Sequence, residues 1–197
     1  MKTEVINHYD LLIDEGNDPF LDPPELKEYM NNWDGQAFIN LLDLNHEKRA
    51  LEIGCGTGRL AVQVAPKVKS FLGIDISPKT VSVAKQHLNF SNVQILCEDF
   101  YNFKSEARFD LIYSSLTFMH FGDKQGAIDK AYELLTKGGR FVLSIDKNQS
   151  EFIDYGTRKI KVYPDNPQTI TALLKNSGFC KIEVQETPLA HLILAIK

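Results

Sequence analysis

The stretch at residues 51–60, LEIGCGTGRL, constrains the fold of this chain more than any other part of it. Apolar residues form a short run at its start and recur at helical spacing after it, which predicts a strand followed by a helix. Gly54, Gly56 and Gly58 fall on the turn between the two. Glycines at alternate positions let the backbone bend sharply and approach a ligand, and the first N–H groups of the helix favour an anionic group. We therefore expect an α/β fold with a ligand at this turn.

The spacing of the glycines bears on which ligand this is. A loop that binds the pyrophosphate of a dinucleotide needs a further glycine immediately after the position of Gly58. Arg59 stands there instead; its side chain could reach a carboxylate, but we expect it to be solvated on the face of the helix. A nicotinamide-dependent oxidoreductase is therefore the less favoured alternative among adenosine-binding proteins.

Length and composition indicate a single globular domain. The 197 residues are enough to bury a core without disulfides or bound metal. The net charge of -4 argues against binding to nucleic acid, which needs an excess of lysine and arginine on one face. The cysteines lack the spacing of a disulfide framework or a zinc site, and no apolar run reaches the length of a signal-peptide core or a membrane span. We expect a cytoplasmic protein with no metal and no membrane partner.

Strands and helices alternate from about residue 46 to the end of the chain. The predicted strands are 49–53, 70–76, 93–100, 109–115, 140–146, 179–186 and 190–197. Alternation of this kind gives a mainly parallel sheet with helices on both faces. The last two strands are joined by a short turn, so they can pair as a C-terminal antiparallel hairpin. The expected fold is a Rossmann-like sheet of seven strands, with residues 46–197 as one structural unit.

Two further segments surround this unit. Residues 1–45 have a helical apolar period interrupted by prolines, which predicts a helical cap with a helix start at Pro23-Pro24. The stretch between Asp146 and Pro167 is longer than an ordinary link, and its alternating residues favour an extra hairpin. Side chains of both segments could overhang a ligand cavity, although packing is the favoured role of each: Tyr9, Tyr29 and Trp33 from the cap, and Asp146, Tyr155, Arg158 and Tyr163 from the hairpin region.

Two carboxylates occupy positions that need a physical explanation. Asp75 ends the second predicted strand, and ligands of such sheets bind outside the carboxyl ends of the strands. Its carboxylate can accept hydrogen bonds from both hydroxyls of a ribose, although it could instead cap the helix that follows Ser77-Pro78. Glu52 lies between apolar residues in the first strand, so its carboxylate needs buried partners, either loop N–H groups or the ammonium of a ligand.

The motif Glu52-x-Gly54-x-Gly56-x-Gly58 resembles the first motif of the class I S-adenosylmethionine-dependent methyltransferases, and the similarity continues in order from about residue 49 to residue 197. The resemblance implies that the glycine turn receives the methionine end of S-adenosylmethionine, that Asp75 binds the ribose, and that Asp99 and Phe100 surround the adenine. The cofactor-binding residues implied in this way are Glu52, Gly54, Cys55, Gly56, Gly58, Asp75, Ile76, Asp99, Phe100 and Ser115.

Residues 114–121, SSLTFMHF, occupy the position at which this family places the methyl group and its acceptor. The resemblance puts Ser115 beside the sulfonium. His120 is the candidate catalytic base, because an imidazole titrates near neutrality. A hydrogen-bonding role for His120 within the loop is the favoured alternative to catalysis.

The implied activity is methyl transfer from S-adenosylmethionine, with S-adenosylhomocysteine as the product. The sulfonium already activates the methyl group, so positioning of the acceptor and exclusion of water can supply much of the acceleration. The acidic charge and the short chain favour a small metabolite as the acceptor, with a small protein side chain as the alternative. A regulatory module that binds the cofactor without catalysis is the main alternative.

Overall fold

The computed structural model describes residues 2–197. Its elements, in chain order, are α1 (Lys2–Asp14), α2 (Pro24–Asp34), α3 (Gln36–Leu42), β1 (Arg49–Ile53), α4 (Ala61–Val64), β2 (Ser70–Asp75), α5 (Pro78–His87), β3 (Val93–Cys97), β4 (Phe109–Ser115), α6 (Lys124–Leu134), β5 (Leu135–Asp146), β6 (Phe152–Asp154), β7 (Lys159–Lys161), α7 (Pro167–Asn176), β8 (Lys181–Glu186) and β9 (Ala190–Ile196). Short 3-10 turns at Ala65–Lys67 and Phe118–His120 follow α4 and β4.

Seven strands form one sheet in the order β3-β2-β1-β4-β5-β9-β8. Strands β1 to β5 run parallel, while β9 pairs antiparallel with both β5 and β8. The predicted sheet and its C-terminal hairpin are confirmed. The strand order reverses between β1 and β4, so a ligand crevice is expected at the carboxyl ends of these two strands.

The central strands are buried on both faces, as a sheet between two layers of helices requires. Alternate residues of neighbouring strands enter opposite layers. Ala50 and Leu111 are paired across β1 and β4 and pack in one layer, whereas the next pair, Leu51 and Ile112, packs in the other. Polar functional groups can therefore be accommodated mainly at the ends of these strands.

Polar side chains cap the starts of two helices. The Ser77 Oγ accepts a hydrogen bond of 3.1 Å from the N–H of Thr80, just before α5. The Asp123 carboxylate accepts one of 2.9 Å from the N–H of Gly126 at the start of α6. Helix α2 begins at Pro24, as the paired prolines predict.

One helix is unusually short, and one strand is longer than predicted. Helix α4 ends after one turn and tightens into the 3-10 turn, because Pro66 has no N–H with which to continue the α-helical hydrogen bonds. Strand β5 begins at Leu135, directly after α6, rather than at Arg140. The pairing register between β4 and β5 shifts between Phe109 and Leu111, and this irregularity accommodates the extra residues.

The helical cap packs on the rest of the domain, and the residues between Asp146 and Pro167 form an insertion. Helix α1 packs against α5, and α2 packs against β5 and β9. The insertion forms the predicted antiparallel hairpin, β6–β7. Within residues 2–197, no helix has both the length and the apolar character needed to cross a bilayer.

Candidate functional site

A cavity of about 1090 Å³ lies at the carboxyl ends of β1, β2, β3 and β4. Its lining on the sheet side comes from the residues that follow these four strands, including the glycine turn. Helix α1, the loop that follows it and α2 supply the opposite side, and Lys161 and Tyr163 contribute from the hairpin region. The cavity is therefore enclosed between the sheet edge and the cap.

The three glycines of the turn adopt the left-handed backbone region that favours glycine, with φ angles of 73°, 55° and 101° for Gly54, Gly56 and Gly58. A side chain at Gly54 would collide with Thr117, and one at Gly58 with Leu88. At Gly56 a side chain would meet no atom within 4 Å. Gly54 and Gly56 line the cavity, so the backbone of the turn is open to a ligand there.

The Asp75 carboxylate stands between the glycine turn and the start of α5. Its Oδ2 accepts a hydrogen bond of 3.0 Å from the N–H of Gly56, and its Oδ1 accepts one of 3.0 Å from the N–H of Ser77. Burial raises the pKa of Asp75 above its ordinary value, although these hydrogen bonds oppose the shift. Asp75 lines the cavity, and each of its oxygens can accept another hydrogen bond.

The end of β3 forms a mixed polar and apolar part of the cavity. Asp99 makes an ion pair of 2.7 Å with Lys2 and accepts a hydrogen bond from the N–H of Tyr101. Phe100 is buried and packs edge-on against Phe121. Both residues line the cavity, and so does Ile76. This arrangement suits an aromatic ring with one polar edge.

Glu52 is buried in β1, with 3% of its surface exposed. Its Oε2 accepts a hydrogen bond of 2.9 Å from the hydroxyl of Tyr113, its neighbour across the β1–β4 pairing, rather than from a loop N–H. Burial is the main cause that raises the pKa of Glu52 to about 8. Glu52 is absent from the lining of the cavity among residues 2–197, so a contact with a cofactor ammonium stays a prediction.

The raised pKa of Glu52 predicts a specific pH dependence of stability. The pKa is about 8 in the folded protein against 4.5 for an unperturbed group, so the native state holds the proton more tightly than the unfolded chain. The stability that Glu52 contributes is therefore present below pH 4.5 and is lost as the pH rises through 8. We expect Glu52→Gln to remove this loss. The variant should be more stable than the wild type at alkaline pH by about 2 kcal/mol, which is less than the full cost of the buried charge because the protein relaxes around it.

Urea unfolding of both proteins across the alkaline and acidic ranges measures this difference. The difference in free energy of unfolding between the two proteins should disappear in acid, where Glu52 is protonated in the folded and in the unfolded state. A difference that does not change with pH would assign the effect to packing rather than to titration.

Cys55 and Gly58 lie behind the turn rather than in the described lining of the cavity. Cys55 is buried, with its sulfur against Gly73, and burial raises the pKa of its thiol. A buried thiol of this kind is chemically inert. The structure places both residues where they shape the turn, and their predicted cofactor contacts remain untested.

Arg59 contradicts the prediction of a solvated side chain. Its guanidinium makes two hydrogen bonds to Asp34, of 2.9 and 2.5 Å, and Asp34 is buried. The Asp34 carboxylate also accepts a hydrogen bond from the hydroxyl of Ser115. Arg59 and Ser115 both line the cavity. The cap residue Asp34 therefore connects the glycine turn to the end of β4, which sequence reasoning missed because nothing local distinguishes this aspartate.

The segment after β4 has an unusual backbone. Leu116 has a φ angle of 53°, in a region that a leucine rarely adopts. Its N–H donates to the carbonyl of Ser144 in β5, at 3.1 Å, and this bond helps to hold the conformation. Leu116 lines the cavity, and strained residues of this kind concentrate at functional sites.

His120 lies on the cavity opposite the cap residue Tyr9. The Tyr9 hydroxyl and the His120 Nε2 are 2.8 Å apart, and Nδ1 has no hydrogen-bond partner within residues 2–197. Burial, with smaller effects of His8 and Lys124, lowers the pKa of His120 to about 4. The imidazole is therefore neutral at physiological pH and able to accept a proton.

The residues between Asp146 and Pro167 contribute two side chains to the lining of the cavity. Tyr163 lines the cavity, together with Lys161, which was not predicted. Arg158 instead fastens α1, because it donates to the His8 Nδ1 at 2.9 Å and pairs with Glu15 at 2.7 Å. Asp146, Tyr155 and Arg158 do not belong to the described lining of the cavity, which leaves them the packing role favoured from the sequence.

Comparison with known proteins identifies the family of this chain. Residues 44–185, more than half of the chain, match a family model described as a methyltransferase domain. The chain belongs to this methyltransferase family. The resemblance to class I S-adenosylmethionine-dependent methyltransferases is thereby confirmed.

Curated relatives of the domain include malonyl-[acyl-carrier protein] O-methyltransferase 1 of Ilyobacter polytropus, 37% identical over 106 residues that cover 52% of this chain and 39% of that protein. Phosphoethanolamine N-methyltransferase of Triticum aestivum is 28% identical over 165 residues that cover 77% of this chain and 32% of that protein. The chain thus spans well under half the length of these relatives.

Solved structures of methyltransferases share the fold. Magnesium protoporphyrin IX methyltransferase from Synechocystis PCC 6803 with bound S-adenosylhomocysteine has a TM-score of 0.76 and 16% identity, and covers 100% of this chain and 99% of that chain. An S-adenosylmethionine-dependent methyltransferase from Mesorhizobium loti has a TM-score of 0.71 and 18% identity, covering 83% and 97%. The cofactor prediction agrees with the S-adenosylhomocysteine bound in the first of these structures and with the name of the second.

The residues of this cavity fit S-adenosylmethionine. The open position at Gly56 leaves room for a ligand against the backbone of the turn, the Asp75 carboxylate has further acceptor capacity, and Phe100 and Ile76 offer apolar surface. The volume of about 1090 Å³ lies just above the range of roughly 300–1,000 Å³ for small-molecule sites. A cofactor and a small acceptor can share it.

Proposed function

We propose that this domain transfers the methyl group of S-adenosylmethionine to a small metabolite bound in the same cavity. One observation carries the proposal: Asp75, Asp99, the glycine turn, Ser115 and His120 all line the same cavity. It therefore combines groups expected for an adenosine with groups that can receive an acceptor. In this proposal residues 1–45 are the cap and residues 46–197 the catalytic unit.

The proposed cofactor contacts follow the placement of the residues. Asp75 accepts the ribose hydroxyls, and Asp99, Phe100 and Ile76 surround the adenine. The backbone of Gly54 and Gly56 faces the methionine end, with Ser115 beside the sulfur. Glu52, Cys55 and Gly58 support the turn from behind.

The protein's own part in the reaction is to position the acceptor and to manage its proton. The bound cofactor supplies an activated methyl group. The cap and the hairpin region enclose the acceptor end of the cavity. They limit the access of water and hold the acceptor in line with the methyl group. Neutral His120, in contact with the Tyr9 hydroxyl, accepts the proton that a hydroxyl acceptor releases as its oxygen bonds to the methyl carbon and the carbon–sulfur bond of the cofactor breaks.

The names of the relatives suggest the first compounds to test. Malonyl-[acyl-carrier protein] and phosphoethanolamine appear in the names of methyltransferases that resemble this chain over part of their length. Calorimetry with S-adenosylhomocysteine and with NADH, followed by transfer of a tritiated methyl group to a panel that includes both compounds, tests the proposal. Tight binding of NADH would favour an oxidoreductase, whereas S-adenosylhomocysteine binding without transfer to any acceptor would favour a regulatory module.

Replacing His120 with alanine separates the two ends of the cavity. We expect S-adenosylhomocysteine affinity to stay within about twofold and methyl transfer to fall at least about tenfold, because only proton acceptance is removed. In the wild type, the transfer rate should stay level near neutral pH and fall as the pH approaches the pKa of His120, about 4. A marked loss of cofactor affinity in this variant would place His120 at the cofactor end instead.

A further inference from the structure

The cavity reaches the solvent beside apolar side chains of the cap. Leu21 and Leu26 belong to its lining, yet 67% and 42% of their surfaces are exposed. Met30 also lines the cavity, one turn after Leu26 in α2. Neighbouring exposed apolar side chains of this kind mark binding surfaces, and a ligand with an apolar body would remove them from water. We refer to Leu21, Leu26 and Met30 as the apolar opening.

The positive charges of the lining are poorly placed to bind an anionic acceptor. Arg59 is neutralised by its bidentate pair with Asp34, and Lys2 is paired with Asp99. Lys161 is exposed on the β6–β7 hairpin, where a solvated ammonium gains little from an ion pair. A carboxylate or phosphate acceptor would therefore leave water without a strong counter-charge.

The lysine that influences His120 is committed as well. Lys124 lies outside the described lining of the cavity. Its Nζ donates to the carbonyls of Phe118 and Tyr163, at 3.0 and 2.9 Å. It also pairs with the buried carboxylate of Asp165 at 2.6 Å. This ammonium supports the segment around His120 and is not available to an acceptor.

A cationic acceptor finds no counter-ion at His120 either. Apart from burial, the groups that shift the pKa of His120 are His8 and Lys124, and both lower it, whereas a nearby carboxylate would raise it. Several carboxylates of the lining have partners of their own, in the pairs Glu15–Arg158, Asp18–His87 and Asp99–Lys2, while Asp22 acts on Arg59 and Asp123 caps α6. The surroundings of His120 therefore favour an uncharged acceptor.

The weak basicity of His120 bears on the kind of hydroxyl that reacts. Burial is the main cause that lowers its pKa to about 4. A weak base accepts a proton more readily from an acidic hydroxyl than from an aliphatic alcohol. A phenol is such a hydroxyl, with a pKa of about 10 as in a tyrosine side chain. Tyr101 and Phe121, which pack edge-on in the lining, offer aromatic surface to its ring.

We propose that the methyl acceptor is an uncharged phenol that carries an apolar substituent. Its hydroxyl lies at the Tyr9–His120 pair, and the substituent extends to the apolar opening. In the reaction the phenol oxygen bonds to the methyl carbon, the carbon–sulfur bond breaks with its electron pair going to sulfur, and the phenol proton passes to His120. This inference rests on the proposed function and names the class of its acceptor.

The test compares para-butylphenol with two analogues in which the terminal methyl of the chain is replaced by a carboxylate or by an ammonium group. Transfer from tritiated S-adenosylmethionine gives kcat/KM for each. For the wild type we expect kcat/KM to be at least about tenfold higher for para-butylphenol than for either analogue, because a charged end would have to be desolvated against the apolar opening.

Leu26→Glu tests the position of the substituent. The side chain is already exposed, so the variant should fold and keep its S-adenosylhomocysteine affinity within about twofold. Its kcat/KM for para-butylphenol should fall at least about fivefold, through KM, while the ammonium analogue loses less because the new carboxylate attracts it. Leu11→Glu is the matched control, since Leu11 is 40% exposed on α1 and lies outside the described lining. It should leave all three values within about twofold.

The outcomes separate this inference from the proposed function. A wild type that prefers a charged analogue, or that methylates malonyl-[acyl-carrier protein] or phosphoethanolamine but none of the phenols, overturns the inference alone. An unchanged kcat/KM for para-butylphenol in Leu26→Glu also overturns it. Binding of S-adenosylhomocysteine without transfer to any compound overturns the proposed function as well.

Discussion

Replacing Asp75 with alanine is expected to weaken the binding of S-adenosylhomocysteine about 10³-fold. In the proposed complex its carboxylate accepts two ribose hydroxyls, and each hydrogen bond to a charged group contributes about 1.5–3 kcal/mol. The N–H of Gly56 donates to Asp75 at 3.0 Å, so the substitution also removes a hydrogen bond that holds the turn in place. Isothermal titration calorimetry on the purified variant measures the loss.

Asp110→Ala is a suitable control for this experiment. Asp110 accepts hydrogen bonds from the N–H of Arg49 and from Thr136, at the opposite ends of the strands. The control variant should lose some stability and keep its affinity for S-adenosylhomocysteine. Undiminished affinity in Asp75→Ala would remove ribose binding by Asp75 from the proposed site.

The fold could be predicted because its signals are local in the sequence. Apolar runs, helical periods and the capping residues Ser77 and Asp123 each act over a few neighbouring positions. The glycine turn is equally local, since the left-handed angles of Gly54, Gly56 and Gly58 follow from the absence of side chains. The sheet, its hairpin and its family were therefore within reach of the sequence.

The parts of the site that were missed depend on side chains that are distant in the chain. Asp34 reaches Arg59 across 25 positions, and Tyr9 reaches His120 across 111. Whether such groups meet depends on the packing of the cap, which no short pattern encodes. Arg59 next to a glycine turn has the same appearance whether it is solvated or buried, so only the packed structure distinguishes the two.

The identity of the partner of Glu52 also depends on residues that are distant in the chain. The sequence predicts that a carboxylate in a buried strand needs a partner. The partner is Tyr113 because the β1–β4 register places the two residues side by side. That register depends on the pairing of strands about 60 residues apart, which hydrophobic patterning fixes only within each strand.

Replacing Asp34 with alanine is expected to lower the free energy of unfolding by about 3–5 kcal/mol, because the Arg59 charge is left in a largely buried position without its partner. Asp34 has 1% of its surface exposed, and it also satisfies the Ser115 hydroxyl. Urea unfolding of the protein without ligand measures the change. The double variant Asp34→Leu with Arg59→Met should recover much of the loss, since removing both charges eliminates the unpaired ion. A single variant within about 1 kcal/mol of the wild type would mean that water reaches Arg59, and the pair would then contribute no more than a surface ion pair.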